Sequence, residues 1–317
     1  MMRFSKLLLA LCFANLSGFA CLAPAATAEE LYATSISGSK INKVDTNTLG
    51  VSLLLNTPSA ADSLIFDGAG RIIYTQLYTG ELRRFDPFTN TDTLIATGFN
   101  EPADLTLEPG GNSVLVSEYL GGKIDRVNLN TNVVTTLLSP GLNPEGLTYD
   151  ASGRLFANLG YRYGGPTGKY VAQIDPVTGA ILATSAGMDS LDGLTFDPYT
   201  GMLFASSLFS NGVVEIDPNN LNSATNHFFG SLNLPDGITS DGAGNIWIAS
   251  AGDSHIYQFN LGANTLTQNA LVVGLDDLAP ASGLGSLHST PEPGSVALLL
   301  AAGLVVGRLS RRRRSPQ

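Results

Sequence analysis

The sequence of 317 residues predicts an all-β fold: a six-bladed β-propeller closed by pairing a C-terminal strand with the N-terminal blade, followed by a C-terminal hydrophobic helix. Two observations predict the propeller. Similar segments recur every 41 to 47 residues, and each contains short alternating apolar and polar runs bounded by Gly, Asn, Asp and Pro. Such runs are typical of strands and hairpins, and four strands per repeat of this length form one blade. An open β-solenoid or an irregular sandwich is the alternative.

The repeats align on one apolar residue in the first strand of each unit. The aligned positions are Leu64, Leu105, Leu147, Leu194 and Ile238. The stretch that starts at Glu29 matches the second, third and fourth strands of a unit, whereas the stretch around Leu278 matches only the first. We therefore expect the C-terminal strand to complete the N-terminal blade, which closes the ring without an exposed sheet edge.

The third strand of four units ends in Asp-Pro or Asp-Thr, at Asp45, Asp86, Asp175 and Asp217. An Asp side chain accepts hydrogen bonds from the backbone ahead of it, and Pro presets φ for a turn, so these steps predict hairpin turns. Calcium loops are the alternative, but no acidic ladder of the EF-hand type accompanies them.

The N-terminus has the features of a secretory signal peptide that covers residues 1–28. Two basic residues precede an apolar run at Leu7–Ala20, and small residues lie just before Glu29. A retained membrane helix, or a lipoprotein anchored at Cys21, is the alternative. Since Cys12 and Cys21 are the only cysteines, cleavage would leave a mature protein without disulfides or thiols.

The remaining boundaries follow from composition. We predict the propeller over residues 29–287, a linker with a Pro-Glu-Pro motif over 288–294, a hydrophobic helix over 295–309 and a basic tail over 310–317. Residues 295–307 carry no charge, and as a helix they would be about 20 Å long. A bilayer core is about 30 Å thick, so this helix is short for a permanent span.

The charge balance narrows the class of partner. The formal net charge is −10, and between Glu29 and Gly307 there are 10 basic residues against 27 acidic ones. Binding to nucleic-acid phosphates requires clustered cations, so the sequence argues against a nucleic-acid partner. An acidic surface instead favours cationic ligands.

Two residues before the aligned apolar position, five of the six units carry an acid. The column consists of Asp62, Ala103, Glu145, Asp192, Asp236 and Asp276. If the first strands line the channel, these carboxylates face one another across its mouth, and two like charges about 8 Å apart repel by roughly 2 kcal/mol at an effective dielectric near 20. Such a ring has to raise its pKa values, stay hydrated or bind a cation such as calcium. The alternative is that each acid caps the turn before its strand.

The array from about residue 30 to 287 resembles the six-bladed group of NHL-repeat proteins and the gluconolactonase (senescence marker protein) family. The segment Leu234–Asn260, with its Pro-Asp-Gly step and Trp-containing strand, is similar to the gluconolactonase pattern. That family holds a divalent cation, usually calcium, with a glutamate, two asparagines and an aspartate. The resemblance implies that Asp236 is a metal ligand of a lactonase-like hydrolase. Glu145 and Asp192 stand where the family has asparagines, and no glutamate motif near the mature N-terminus matches.

Other candidate chemistry lies in the histidines and in one insertion. His227, His255 and His288 do not form a Ser-His-Asp arrangement by spacing, although His255 resembles the histidine of streptogramin-type lyases. The insertion LGYRYGGPTGKY makes the longest unit and is a candidate ligand loop, since binding residues favour loops on rigid scaffolds. Its candidate residues are Tyr161, Arg162, Tyr163 and Lys169. A solvated hairpin is the alternative.

The C-terminal tail resembles the PEP-CTERM sorting signal. Its motif residues are Pro291, Glu292 and Pro293, followed by the apolar helix and by Arg311, Arg312, Arg313 and Arg314. The resemblance implies a protein of a Gram-negative bacterium that is processed by signal peptidase and an exosortase. It would be membrane-inserted through the tail before processing, then reach the cell surface or the extracellular space, where an exopolysaccharide is a candidate partner. A simple tail anchor is the alternative.

The sequence therefore predicts an exported, non-catalytic propeller that acts as a cell-surface or matrix binding protein, with its ligand unknown. The alternative is a calcium-dependent, lactonase-like hydrolase that uses the acid column. A weaker alternative is a streptogramin-lyase-like enzyme centred on His255.

Overall fold

The computed structural model describes residues 30–139, 141–160 and 169–280. The predicted signal peptide, linker, sorting helix and basic tail lie outside these ranges, as do Tyr161, Arg162, Tyr163 and the sorting motif. Within the ranges the chain forms β-strands and turns, and no helix is long and apolar enough to cross a membrane.

Twenty-four strands form six antiparallel sheets of four strands each within the described ranges, one sheet per blade. Blade 1 contains β24 (Leu275–Pro280), β1 (Glu30–Ser35), β2 (Lys40–Asp45) and β3 (Gly50–Asn56). Blade 2 contains β4 (Ala61–Phe66), β5 (Ile72–Gln76), β6 (Glu81–Asp86) and β7 (Thr91–Thr97). Blade 3 contains β8 (Pro102–Leu107), β9 (Ser113–Glu118), β10 (Lys123–Asn128) and β11 (Val134–Leu138).

The other half of the ring repeats the same order. Blade 4 contains β12 (Leu147–Tyr149), β13 (Leu155–Leu159), β14 (Tyr170–Ile174) and β15 (Ile181–Thr184). Blade 5 contains β16 (Leu191–Asp197), β17 (Met202–Ser207), β18 (Gly212–Asp217) and β19 (Asn220–Phe228). Blade 6 contains β20 (Pro235–Ser240), β21 (Asn245–Ser250), β22 (His255–Asn260) and β23 (Thr265–Leu271).

The predicted closure of the ring is confirmed. Strand β24 pairs with β1, with Leu31 opposite Pro280 and Ala33 opposite Leu278. The last described strand of the chain thus supplies the first strand of the N-terminal blade, and the first strands of neighbouring blades contact one another around the channel. Closure pairs or covers the edges that would otherwise invite association with another chain.

Burial decreases from the channel to the outer rim of each blade. All five residues of β5 are buried, whereas all four residues of the outermost strand β15 are exposed. The core consists of apolar clusters between neighbouring blades; one of them joins Trp247 and Ala249 of blade 6 to Leu31 of blade 1. The outer strands have one weakly buried face, which explains why their sequence pattern is the weakest of the four.

The Asp-Pro and Asp-Thr steps form turns, as predicted. The Oδ1 atoms of Asp45, Asp86 and Asp175 each accept hydrogen bonds from the backbone amides two and three residues ahead. Asp217 accepts one from the amide of Asn219. These carboxylates satisfy local turn amides.

A recurring irregularity aims the first strands at the channel. The pairing with the second strand shifts register between Ala61 and Leu64 in blade 2, and the same shift precedes the aligned residue in blades 3, 5 and 6. Two residues of the first strand therefore leave the ladder just before the aligned apolar residue. Bulges of this kind redirect side chains, and here they point the acid column into the central channel.

Candidate ligand site at the channel mouth

The six residues of the acid column line one cavity at the mouth of the channel. The cavity has a volume of about 280 Å³. Besides the column it is lined by Glu101 and by a largely apolar collar, which comprises Ile36, Leu77, Tyr119, Leu208, Leu234 and Ala251. All six lie directly after the second strand of their blade or directly before the first, so equivalent loops of the repeats build the collar. We call the acids Asp62, Glu145, Asp192, Asp236 and Asp276 the outer ring.

Three of the outer-ring acids are buried, and Asp62 and Asp236 are partly buried. Glu145 and Asp276 are 7% exposed and Asp192 is 9% exposed. Burial raises the pKa of all five groups, with repulsion from the other acids of the ring as a further cause for Asp62, Glu145, Asp236 and Asp276. For Asp192 the pKa is raised to about 7 by burial, against the opposing attraction of Lys169. The ring therefore carries fewer negative charges at neutral pH than five separate acids in water would.

The turn-capping alternative does not describe the outer ring. In the described part of the chain no backbone amide donates to any of these five carboxyl groups. The Oδ2 atom of Asp276 is buried and receives no hydrogen bond from an N–H or hydroxyl of the described residues. Repulsion from Asp62 is a further cause of the raised pKa of Asp276.

Lys169 is the described part of the predicted ligand loop, and it lies beside the ring. Its side chain is almost completely buried, and its ammonium lies 5.6 Å from the centre of the Phe209 ring. Burial lowers its pKa, while attraction to Asp192, Asp189 and Glu145 opposes that effect. The chain thus places one ammonium of its own next to the Glu145 and Asp192 side of the mouth.

A second set of polar side chains lies one residue further along each bulge, around a smaller cavity of about 70 Å³. We call Ser63, Asp104 and Asp277 the inner ring. The Ser63 Oγ lies 2.8 Å from Asp104 Oδ1 and 2.7 Å from Asp277 Oδ2. A hydroxyl can donate only one hydrogen, so one of the two carboxyls has to donate the other bond. Burial and the charge of Asp277 raise the pKa of Asp104 to about 8, and burial raises that of Asp277 to about 6.

Backbone amides complete the inner ring. Asp104 accepts from the amide of Leu147 in the neighbouring blade at 2.6 Å and from its own neighbour Leu105 at 2.7 Å. Second strands hold the bulges in place: Thr75 Oγ1 accepts from the amide of Ser63 at 2.9 Å, and Ser117 Oγ accepts from that of Asp104 at 2.8 Å. These bonds fix the backbone that carries both rings.

In the other three blades the inner-ring position is glycine. A Cβ at Gly146 would lie 2.4 Å from the Leu194 amide nitrogen and 2.6 Å from the Asp192 carbonyl oxygen, and one at Gly237 would lie 2.2 Å from the Asp277 Oδ1. The close approach is used, because the Gly146 amide donates to the Asp192 carbonyl at 3.0 Å. Adjacent blades are thereby linked directly at the channel.

The described residues do not form a coordination shell for calcium at the mouth. The described residues contain no group of three or more His, Cys, Asp or Glu side chains that could hold one metal ion. Calcium takes six to eight oxygens at about 2.3–2.6 Å, whereas the outer-ring carboxyls are distributed around a wide mouth. The calcium site predicted from the acid column stays a prediction, and the residues present do not fit a tightly chelated ion.

The described histidines lie away from this cavity. His227 Nε2 contacts Glu215 Oε2 at 2.9 Å on the outer strands of blade 5. His255 Nδ1 lies 2.9 Å from the carbonyl oxygen of Asp253, and it is not among the residues that line the mouth. His288 lies outside the described residues.

Sequence reasoning found the outer ring but missed the inner one. The column one residue before the aligned position contains Ser63, Asp104, Gly146, Gly193, Gly237 and Asp277. Its restriction to small or acidic residues was the signal in the sequence for a second ring. The burial of Lys169 beside the ring had no local signal, because it depends on contacts from other blades.

Solved structures share the fold. A chain in the crystal structure of a nidogen/laminin complex matches with a TM-score of 0.69 and 17% identity over 80% of this chain and 98% of that one. Virginiamycin B lyase from Staphylococcus aureus matches with a TM-score of 0.58 and 16% identity over 78% of this chain and 83% of that one. Hydrazine synthase of Kuenenia stuttgartiensis matches with a TM-score of 0.60 and 13% identity, over 78% of this chain and 85% of that one. At these identities the likeness shows a six-bladed β-propeller and nothing finer. No protein-family model and no curated protein sequence matches the chain.

Proposed function

We propose that this protein is an exported binding propeller whose ligand site is the mouth of the central channel, and that the ligand carries positive charge. The observation that carries the proposal is the convergence of five carboxyl groups, three of them buried and two partly buried, on one open cavity of about 280 Å³. No backbone amide of the described residues donates to these carboxyls, whereas two backbone amides donate to Asp104 of the inner ring.

The charges of the described chain support a cationic ligand. Arg71, Arg83, Lys123, Arg126 and Arg154 each pair with carboxylates on the blades themselves, and Lys169 is the cation placed beside the mouth. Like charges in a poorly solvated ring repel one another. A bound cation would offset this repulsion and favour the ionised carboxylates.

Export rests on the two ends of the chain. The signal-peptide features of residues 1–28 and the PEP-CTERM-like order of Pro-Glu-Pro, apolar run and arginines support processing by signal peptidase and an exosortase, and display on the surface of a Gram-negative cell or in its matrix. A six-bladed propeller suits this role because its channel mouth is a rigid, concave surface. A surface exopolysaccharide with amino groups has the charge that the mouth would accept.

A calcium-dependent, lactonase-like hydrolase is the second candidate, favoured by one observation: Asp236 of the Pro-Asp-Gly step lines the mouth. It ranks below binding because no three metal-binding side chains come together in the described residues. A streptogramin-lyase-like activity is not favoured, since His255 does not line this cavity and the likeness to such lyases is one of fold.

The ligand site is tested with the exported protein and a panel of cations. We expect at least one of calcium, magnesium, methylammonium and 1,4-diaminobutane to raise the unfolding temperature, and Asp236→Asn to remove the increase. Asp175→Asn is the matched control because it removes the same charge from an exposed turn. A panel without any effect on the wild type, or an unchanged response in Asp236→Asn, would overturn the proposal. Turnover of a lactone panel would favour the hydrolase instead.

Export is tested separately by intact-mass analysis of the secreted protein. We expect an N-terminus at Glu29 and loss of Arg311–Arg314. A secreted protein with an intact arginine cluster would contradict exosortase processing and leave a tail anchor as the explanation.

A further inference from the structure

The outer ring is electrically asymmetric. Counting around the propeller, Asp276 of blade 1 stands opposite Glu145 of blade 4, and Asp62 of blade 2 stands opposite Asp192 of blade 5. Lys169 attracts Asp192 and Glu145. Among the residues that the structure describes, no cation faces the opposite pair, Asp62 and Asp276.

Asp276 shows that this side lacks donors. Its side chain is only 7% exposed, and its Oδ2 receives no hydrogen bond from an N–H or hydroxyl in the described ranges. A buried carboxylate oxygen without a donor is costly. Because Asp276 lines the mouth cavity, a donor that enters there reaches this carboxyl group.

Apolar side chains cover the same side. Ile36 follows β1 in blade 1, Leu77 follows β5 in blade 2, and both line the mouth cavity together with Asp276 and Asp62. A hydrated metal ion gains nothing from an apolar wall, whereas a ligand with a hydrocarbon body buries that body against it. The carboxyls and the apolar wall together fit a ligand that carries a cationic group at the end of a hydrocarbon chain.

An ammonium head fits the spacing of the acids better than a metal ion. A metal needs several oxygens on one centre at short distance, and no three acidic side chains of the described residues meet that condition. An ammonium group carries three N–H donors and needs only separate acceptors at hydrogen-bond distance. On the other side of the ring the chain places an ammonium of its own: that of Lys169 lies 5.6 Å from the centre of the Phe209 ring and is attracted to Asp192 and Glu145.

From this asymmetry we infer that the mouth binds a primary ammonium group on an apolar body, with the ammonium between Asp62 and Asp276 and the body against Ile36 and Leu77. The inference rests on the proposed function and narrows its ligand class. The volume of about 280 Å³ limits the ligand to a small molecule or to a single amine-bearing group of a larger one.

The test is calorimetric titration of the mature protein with methyl-, propyl- and hexylammonium chloride. We expect affinity to rise with chain length, by up to about fourfold for each methylene that is fully buried. Asp276→Asn and Asp62→Asn should each weaken hexylammonium binding at least tenfold, while Asp175→Asn on the outer turn leaves it within twofold. Hexanol, which has the same stem without the charge, should not bind measurably.

A second variant separates the stem from the head. Leu77→Ser should reduce the gain from methyl- to hexylammonium and leave the affinity for methylammonium within twofold. Because Leu77 lies in a loop at the rim, this substitution leaves the acidic side chains of the outer ring unchanged.

The outcomes separate this inference from the proposed function. If calcium binds in a manner that requires Asp236 and the alkylammonium series does not bind, the mouth is a cation site but the ammonium inference is wrong. Equal affinity along the series, tight binding only by hexylguanidinium, or unchanged binding in Asp276→Asn would also overturn it. If no cation binds, both proposals fail.

Discussion

The outer and inner rings occupy adjacent positions of the first strands, yet the surroundings of their carboxyl groups differ. Asp104 of the inner ring accepts from two backbone amides and contacts the Ser63 hydroxyl. Asp276 of the outer ring has an oxygen without an N–H or hydroxyl donor in the described residues. The comparison teaches that the role of an acidic residue depends on the hydrogen-bond donors that surround it, and that neighbouring blades supply some of those donors.

Space separates the two rings as well. The inner-ring residues line only the smaller cavity of about 70 Å³, whereas the outer-ring acids all line the larger cavity of about 280 Å³. In the small space, serine and backbone donors reach the acids, and glycines let neighbouring blades touch. In the larger space the carboxyls stand apart under an apolar collar. We therefore expect inner-ring changes to act on stability, and outer-ring changes to act mainly on charge and binding.

The largest effect is expected for Gly146→Ala in the inner ring. The new methyl group would lie 2.4 Å from the Leu194 amide nitrogen, and backbone of the next blade cannot move aside without breaking the contact between blades. Overpacking typically costs about 1–3 kcal/mol of unfolding free energy and occasionally more, and with backbone on both sides we expect the upper end of that range. Gly68→Ala is the control, because a Cβ there has no atom within 4 Å. Chemical denaturation measures both, and a similar stability for the two variants would contradict the tight inner ring.

A smaller loss is expected for Ser63→Ala. The substitution keeps the packing but removes the hydroxyl that lies between Asp104 and Asp277, which leaves two partly buried carboxyls without their shared partner. We expect a loss of about 1–3 kcal/mol, measured by the same denaturation. Ser52→Ala is the matched control, since that exposed hydroxyl makes only a 3.5 Å contact with a carbonyl. If the two variants lose the same stability, the inner ring is not held by this hydroxyl.

The repeats allowed most of the fold to be predicted. An apolar column at a period near 42 residues is a local signal, since the first strand of every blade is buried in the same way, and the unmatched segment around Leu278 predicted the closing strand. The acid column was visible for the same reason. Its members were expected to face one another, and all six column residues line one cavity.

The rest of the site depends on contacts between blades, which no local pattern encodes. The donors of Asp104 come from Leu147 in the next blade, and Lys169 reaches the ring from a long insertion. The turn-capping interpretation was reasonable for an acid before a strand, but it describes Asp45 or Asp86 in the outer turns rather than the outer ring. The two places differ in which amides are available. In an exposed turn the backbone amides can donate to a carboxylate, whereas in the bulges they already donate to neighbouring strands and blades.

The last effect concerns the charge of both rings and is the dependence of stability on pH. Burial raises the pKa of Asp277 to about 6, of Asp192 to about 7 and of Asp104 to about 8, against 3.8 for an ordinary aspartate. A carboxyl whose pKa is higher in the folded state stabilises the fold fully below its unfolded pKa, and this contribution is lost as the pH rises through the folded value. Without added cations, the unfolding temperature should therefore fall between pH 5 and pH 8, by about 2–4 °C for each kcal/mol lost.

Asp276→Asn should reduce this fall in unfolding temperature, because it removes one carboxyl with a raised pKa and its repulsion of Asp236. Asp175→Asn removes a carboxyl whose pKa is lowered by backbone hydrogen bonds, so it should keep the fall. A stability that rises over this range in the wild type, or an identical fall in Asp276→Asn, would mean that the outer-ring acids are ionised and solvated.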